Sequence, residues 1–214
     1  MPKPSRWPLW IEDQLVRRGI SDERVLSVMS TVPRDAFVPP QEQGLAEADC
    51  PLPIGCGQTI SQPYIVALSL QALELKGTER VLDVGTGSGY QAALLSYLAA
   101  EVYTVEIYEE LLDRARTAIN MHHQAPVHCL HGDGRLGWPD AAPFDGIVVA
   151  AWSKDVPKAL ADQLASGGRL VIPLGYEYRQ VLARFRKLPS GTLERDDLES
   201  VRFVPLVRPQ RVRR

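Results

Sequence analysis

The run Val81-Leu82-Asp83-Val84-Gly85-Thr86-Gly87-Ser88-Gly89-Tyr90 carries the strongest chemical signal in the chain. Apolar residues lead into three alternate glycines, the pattern of a strand, a tight turn and a helix start. Glycine permits φ > 0 and lets a backbone approach a ligand closely. The amides of the following helix N-terminus attract an anion. A dinucleotide fingerprint spaces its glycines Gly-x-Gly-x-x-Gly. Here the spacing is Gly-x-Gly-x-Gly, with Asp83 two residues ahead. A carboxylate at that point repels a pyrophosphate and attracts an ammonium group. A ligand that needs both poles is an amino acid, and S-adenosylmethionine carries one. Gly85, Thr86, Gly87, Ser88 and Gly89 are expected near its carboxylate and Asp83 on its amino group.

Two further acids fall at the ends of candidate strands, where open α/β sheets bind ligands. Glu106 is placed to grip two ribose hydroxyls, and Asp133-Gly134 to meet the adenine amine; the alternative is that both acids cap local turns. A second signal is Thr59-Ile60-Ser61-Gln62-Pro63. Ser61 sits just before a helix start, so it either caps that helix or joins Thr59 and the helix N-terminus in holding a substrate carboxylate. No Gly-x-Ser-x-Gly elbow surrounds Ser61, which argues against a hydrolytic nucleophile. His122, His123, His128 and His131 crowd together, but the first two suit a helix C-terminus and the last two face opposite sides of a strand. No metal site is expected.

The elements that must position these residues read as an α/β protein. After residue 79 strands and helices alternate: strands Arg80–Val84, Val102–Ile107, Val127–His131, Phe144–Ala150 and Arg169–Leu174, with helices Tyr90–Ala99, Glu109–His122 and Val156–Ala165 between them. The continuously apolar Val81-Leu82 and Ile147-Val148-Val149 suit a sheet covered on both faces. A Rossmann-like open, mostly parallel sheet follows, with helices on both faces. Ahead of it, a stripe from Trp10 or Ile11 to Leu15 closes at Gly19. Ser21 is expected to cap a helix through Val25, Leu26, Met29 and Val32 that stops at Pro33. Pro39 to Pro63 reads as loop, and a helix buries Ile65, Leu68, Ala72 and Leu73. Beyond Gly175, Val181–Phe185 and Val201–Val207 are expected as an antiparallel edge, and Arg208–Arg214 as a frayed tail. The division is one domain, 1–214: an N-terminal helical and loop region (1–78), a cofactor-binding core (79–175) and a C-terminal extension (176–214).

Composition narrows the class. The chain has 214 residues, 24 Lys and Arg against 26 Asp and Glu, and a formal charge of −2. That balance disfavours a dedicated nucleic-acid binder. No apolar run approaches the ~20 residues of a membrane span, and Met1–Arg6 is not followed by a signal-peptide core. Three cysteines without a Cys-x-x-Cys pair argue against a disulfide framework or structural zinc. A cytoplasmic protein with no nucleic-acid or membrane partner is expected.

With these motifs placed, the sequence resembles the protein-L-isoaspartate (D-aspartate) O-methyltransferases from about Ile20 to Val207. The specific segments are Val32-Pro33-Arg34-Asp35-Ala36-Phe37-Val38, Leu52-Pro53-Ile54-Gly55, Gly57-Gln58-Thr59-Ile60-Ser61-Gln62-Pro63-Tyr64, the glycine turn, His131-Gly132-Asp133-Gly134, Pro143-Phe144-Asp145, and Arg202-Phe203-Val204-Pro205-Leu206-Val207. The resemblance implies a monomeric, S-adenosylmethionine-dependent repair enzyme that releases S-adenosylhomocysteine. It would methylate the free carboxylate of isoaspartyl or D-aspartyl residues in damaged proteins and peptides. It implies Ser61 as catalytic, and Thr59, Ile60, Ser61, Gln62, Trp152, Val204 and Leu206 around the substrate. One departure stands out: where the family tends to run Thr-Ala-Ala-Pro, this chain has Ala150-Ala151-Trp152-Ser153. A diverged carboxyl methyltransferase, or a non-catalytic cofactor-binding module, is the alternative expectation.

Overall fold

The computed structural model describes residues 6–208; the readings of the first five residues and of the tail from 209 on lie outside the described residues. A two-stranded hairpin, β1 (Leu52–Gly55) and β2 (Gln58–Ile60), precedes the sheet. The sheet strands are β3 (Arg80–Val84), β4 (Glu101–Glu106), β5 (Val127–His131), β6 (Phe144–Val149), β7 (Leu164–Tyr176), β8 (Arg179–Lys187) and β9 (Leu193–Val201). They run in the order β5-β4-β3-β6-β7-β8-β9. The pairs from β5 through β7 are parallel and the last two antiparallel. The chain leaves β3 outward to β4 and β5, then returns to β6 on β3's other side. That reversal opens a crevice at the carboxyl ends of β3 and β6, where such sheets hold ligands.

Helices α1 (Leu9–Gln14), α2 (Glu23–Thr31), α3 (Pro63–Leu73), α4 (Tyr90–Leu98), α5 (Glu109–His122) and α6 (Lys158–Gln163) complete the fold. One large apolar cluster joins α2 through α5 to one side of the sheet. A smaller one joins Leu160 of α6 to Leu82, Val84, Phe144, Ile147 and Ile172 on the other. Helix α3 is covered nearly all round: Val66, Ala67 and Leu70 are buried along with Ile65, Ala72 and Leu73, while Leu68, expected in the core, is half-buried.

Three local expectations are corrected. Asp22, not Ser21, caps α2, its carboxylate accepting from the amides of Arg24 and Val25; a carboxylate also suits the helix dipole. The last strand is β9, earlier than the apolar run 201–207. It is a charged edge strand whose Asp196 pairs with Arg184 across the ladder. Charge is how an edge avoids pairing with another chain, and it erased the apolar signal. The stretch from Pro39 to Pro63 is not structureless. It holds a 3-10 turn, Pro40–Leu45, and the β1–β2 hairpin.

Arg34 organises that stretch. It follows α2 in a short 3-10 turn and is only 5% exposed. Its Nη1 donates to the Ala46 carbonyl at 2.7 Å, and its Nη2 to the carbonyls of Cys50 and Ser61 at 2.9 and 3.0 Å. A planar guanidinium suits such a fan of fixed acceptors. One buried side chain thus ties three points of the segment to the end of α2. Arg34→Ala strands three buried carbonyls, each costing roughly 1–3 kcal/mol. We expect a loss of about 3–5 kcal/mol in urea unfolding, with Arg34→Lys losing less because it keeps the charge and some donors.

Candidate active site

The glycine turn closes over the carboxyl end of β3. Gly85, Gly87 and Gly89 have φ of 94°, 53° and 88°, values that L side chains rarely adopt. At Gly89 a Cβ would meet Ile119 at 3.0 Å, so α5 also depends on a bare backbone there. The amides of Gly85 and Thr86 both donate to the Val105 carbonyl, and that of Gly89 to the Thr86 carbonyl. The turn is therefore fixed to β4 as well as to β3.

Asp83 does not face the crevice as expected. Its carboxyl is 0% exposed and accepts from Gln91 Nε2 at 2.8 Å and Thr104 Oγ1 at 2.7 Å. The Thr86 hydroxyl, likewise buried, lies 2.5 Å from Thr104 Oγ1. Because Thr104 donates its proton to Asp83, Thr86 is the donor in that pair. Asp83, Thr104 and Thr86 form a buried chain beneath the turn and support it from behind. Burial pushes the Asp83 carboxyl up to about 6 against the two hydrogen bonds that favour its ionised form, and nearby Glu106 raises it further.

Glu106 is 5% exposed at the end of β4. Its Oε2 accepts the Gly87 amide at 2.8 Å; its Oε1 accepts those of Ile107 and Tyr108 at 2.8 and 3.0 Å. Each carboxylate oxygen has two lone pairs, so Oε2 retains one for a hydroxyl in the crevice that Glu106 lines with Val84, Gly85, Gly87, Gly134 and Leu206. Asp133, expected at the adenine, is engaged elsewhere. Arg135 grips both its oxygens and holds it below the ordinary carboxyl range, and Asp133 caps the turn Gly134–Leu136. Its neighbour Gly134 faces the crevice instead; a Cβ there would strike Val84 at 2.6 Å.

On the other side, Thr59, Ile60 and Ser61 share a small cavity with Gly85, Gly87, Ser88 and Ala150. A larger groove of about 490 Å³ opens beyond it. Arg18, Thr59, Ser61, Gln62, Ala150, Glu199, Arg202, Phe203 and Val204 are among its lining residues. Ser61 does not cap α3. The Tyr64 amide donates to Asp49 Oδ1 at 3.0 Å, and the amides of Ile65 and Val66 reach the Gln62 carbonyl. Pro63 has no N–H. The helix N-terminus expected to share a substrate carboxylate is thus already taken. The hydroxyls of Thr59 and Ser61 have no protein partner among the described residues.

The segment after β9 closes both cavities. Gln180, buried on β8, accepts the Phe203 amide at 2.7 Å. The Trp152 amide donates to the Val204 carbonyl, and the Leu206 amide to the Trp152 carbonyl. Trp152 therefore acts through its main chain and is absent from the lining of either cavity. Val204 and Ala150 line both. Sequence reasoning missed Arg18, Arg34, Asp49, Gln91 and Gln180. Each is one polar residue whose partner is more than ten residues away or, for Gln91, on the turn of an apolar helix, and no spacing rule marks that. The histidines serve local bonds: His128 meets Glu101, His131 the Ile107 carbonyl and His123 the Ile119 carbonyl. No group of three His, Cys, Asp or Glu among the described residues could hold a metal ion.

The family model for protein-L-isoaspartate(D-aspartate) O-methyltransferase (PCMT) matches residues 10–211. The chain is 55% identical over 195 residues to a protein-L-isoaspartate O-methyltransferase 2 of Marinobacter nauticus, covering 91% of this chain and 89% of that protein. It is 50% identical over 197 residues to a protein-L-isoaspartate O-methyltransferase of Geobacter metallireducens, covering 92% and 91%. Among solved structures, a beta-aspartate methyltransferase (PCMT) from Plasmodium falciparum in complex with S-adenosyl-L-homocysteine superposes with a TM-score of 0.76 at 30% identity, over 91% of this chain and 95% of that one. A second protein-L-isoaspartate O-methyltransferase gives a TM-score of 0.79 at 28% identity; the match covers 90% of this chain but only 63% of that one.

The raised Asp83 value has a pH consequence. Between its ordinary 3.8 and about 6, the folded protein holds a proton that the unfolded chain has lost. This group's stabilisation is therefore complete below the lower value and is lost as pH rises through the upper one. The loss amounts to about 3 kcal/mol by neutral pH. Asp83→Asn cannot titrate. We expect its unfolding free energy to gain on the parent's by about that amount between pH 4 and 7; a pH-independent difference would show that Asp83 ionises normally.

Proposed function

The chain belongs to the protein-L-isoaspartate(D-aspartate) O-methyltransferase family, and from that premise we propose how its residues carry out the reaction. It is an S-adenosylmethionine-dependent protein carboxyl O-methyltransferase that acts on isoaspartyl or D-aspartyl residues in damaged proteins and peptides. The donor supplies a methyl group on a positively charged sulfur. The crevice suits it: Glu106 keeps a free lone pair for a ribose hydroxyl, the turn presents bare backbone, and Val84, Val105, Ile107 and Leu206 offer apolar walls. In this reading Gly85, Gly87, Ser88 and Gly134 touch the donor directly. Asp83 and Thr86 hold the turn from beneath, and Asp133 acts only by placing Gly134.

The observation that carries the substrate side is the Ser61 hydroxyl. It has no partner among the described residues and lines the small cavity that joins the glycine turn to the groove. The nucleophile is a carboxylate oxygen of the substrate. Model α-carboxyls titrate at about 3.3–3.7, so it is ionised at neutral pH and no general base is needed. Ser61 and Thr59 would donate one hydrogen bond each and fix its direction toward the methyl carbon. A neutral hydroxyl orients the oxygen without burying its charge in an ion pair. Opposite charges cancel as the bond forms, which a dry site favours. Alignment is the chief service the protein performs, and it can be worth effective molarities of about 10⁵–10⁸ M. Val204, held by Trp152, lines the groove and would meet the peptide there, while Leu206 stays on the donor side. A monomer and a reducing cytosol are the companion readings, the second favoured by the free thiols of Cys50, Cys56 and Cys129; among the described residues no helix is long and apolar enough to cross a membrane.

Ser61→Ala removes one hydrogen bond to a charged group. We expect kcat on an isoaspartyl peptide to fall by about 10- to 100-fold. Calorimetric affinity for S-adenosylhomocysteine should stay within about twofold, since Ser61 holds the acceptor and not the donor. The matched aspartyl peptide serves as the blank. Undiminished transfer by the variant would remove Ser61 from the mechanism.

A further inference from the structure

The groove contains a hazard for its own chemistry. Arg18 lines it together with Ser61 and Thr59. A guanidinium binds a carboxylate bidentately and strongly. Bound to the substrate carboxylate, it would hold the oxygens in a stable ion pair and lower their nucleophilicity. The first amide of α3 is a second strong donor beside Ser61, favoured further by the helix dipole.

Both are occupied by one residue. Asp49 Oδ1 accepts the Tyr64 amide at 3.0 Å, while Oδ2 pairs with Arg18 Nη1 at 2.5 Å and accepts Gln62 Nε2 at 3.2 Å. The Asp49 side chain is 19% exposed and that of Arg18 41%. The Arg18 guanidinium also lies flat against Tyr64, 3.4 Å from the ring centre, so the pair has a fixed position as well as a partner. Asp49 itself follows the Ala46–Ala48 bend that Arg34 holds. The carboxylate is thus delivered to this point by the same clamp that fixes the Ser61 carbonyl.

We propose that Asp49 is a positioning residue: by occupying Arg18 and the α3 amide, it keeps two strong donors off the substrate carboxylate and leaves the neutral Ser61 and Thr59 hydroxyls to orient it. The proposal rests on the reading of the groove as the substrate site. It makes Asp49 a determinant of reactivity rather than of affinity. Removing its charge allows the substrate to bind Arg18 in the ground state, so binding tightens while turnover slows. A residue needed only for local structure would weaken binding and slow turnover together.

Asp49→Asn is the decisive variant, because its side-chain carbonyl still accepts the Tyr64 amide while Arg18 keeps its charge and loses the anion that neutralises it. With an isoaspartyl peptide as substrate we expect kcat to drop about tenfold and KM to fall with it. Inhibition by a succinyl-capped peptide, a carboxylate that is not an isoaspartyl residue, should strengthen by a similar factor. Adding Arg18→Gln should return kcat toward the parent value. An Asp49→Asn enzyme whose kcat and KM are both unchanged, or whose KM rises as kcat falls with no rescue by Arg18→Gln, would overturn the proposal. A groove that is not the substrate site would announce itself separately, as full activity in Ser61→Ala.

Discussion

A cation without a carboxylate sits under the substrate side of this protein. Arg34 is buried among the carbonyls of Ala46, Cys50 and Ser61, and desolvation draws its guanidinium below its ordinary value. Three peptide dipoles replace the anion that a buried charge usually requires. The consequence is geometric. A long connection with five prolines and three glycines from 39 to 63 would otherwise be free to move, and it carries both Asp49 and the hydroxyl pair. The carbonyl that Arg34 takes from Ser61 leaves the Ser61 side chain facing the cavity. In the proposed mechanism the substrate side thus depends on an interaction that touches neither substrate nor cofactor.

The acids of the other side follow a similar logic of distance. Each of the three that a ligand could have claimed is already engaged within the protein. Glu106 gathers three amides, Asp133 caps a turn, and Asp83 is sealed beneath Thr86 and Thr104. Of the three, Glu106 is the one that lines the crevice. A cleft built this way is preorganised: its turn is held in a left-handed path that glycine adopts freely before any ligand arrives, and the ordering cost falls on folding instead of binding. The buried carboxyl of Asp83 is the least comfortable element of that arrangement, since it is both desolvated and near a second acid.

Much of this was legible before any coordinates. The parallel core was fixed by continuous apolar runs and by glycines at alternate positions, so β3, β5 and α5 fall on the residues that periodicity names. The turn and its place at the strand reversal follow from the same pattern. What could not be read was direction. Asp83 lies at the expected residue and points into the protein, because Gln91 and Thr104, eight and twenty-one residues on, supply donors there that sequence spacing does not reveal. Ser61 was open between cap and ligand. The answer lay in Asp49, which caps the helix from outside the local sequence. Strand β9 was hidden for another reason: an edge strand defended by charge has no apolar alternation to detect.

Position 150 shows how the two halves meet. Ala150 continues β6, its amide donating to the Val84 carbonyl at 2.8 Å. Its methyl lies 3.5 Å from where Gly85 would carry a Cβ. It lines the crevice, the groove and the small cavity between them. Two minimal residues on adjacent parallel strands therefore form the floor of the passage between donor and acceptor sides. A hydroxyl at 150 would add another hydrogen-bonding group beside Ser61. An alanine leaves that end of the passage apolar, which excludes water and keeps the local dielectric low. In a reaction that brings an anion and a cation together and leaves neither, an apolar floor favours the state in which charge has begun to vanish. In the proposed mechanism position 150 and the neutral hydroxyls of Ser61 and Thr59 thus serve one requirement, and the pairing of Asp49 with Arg18 in the same groove serves it too.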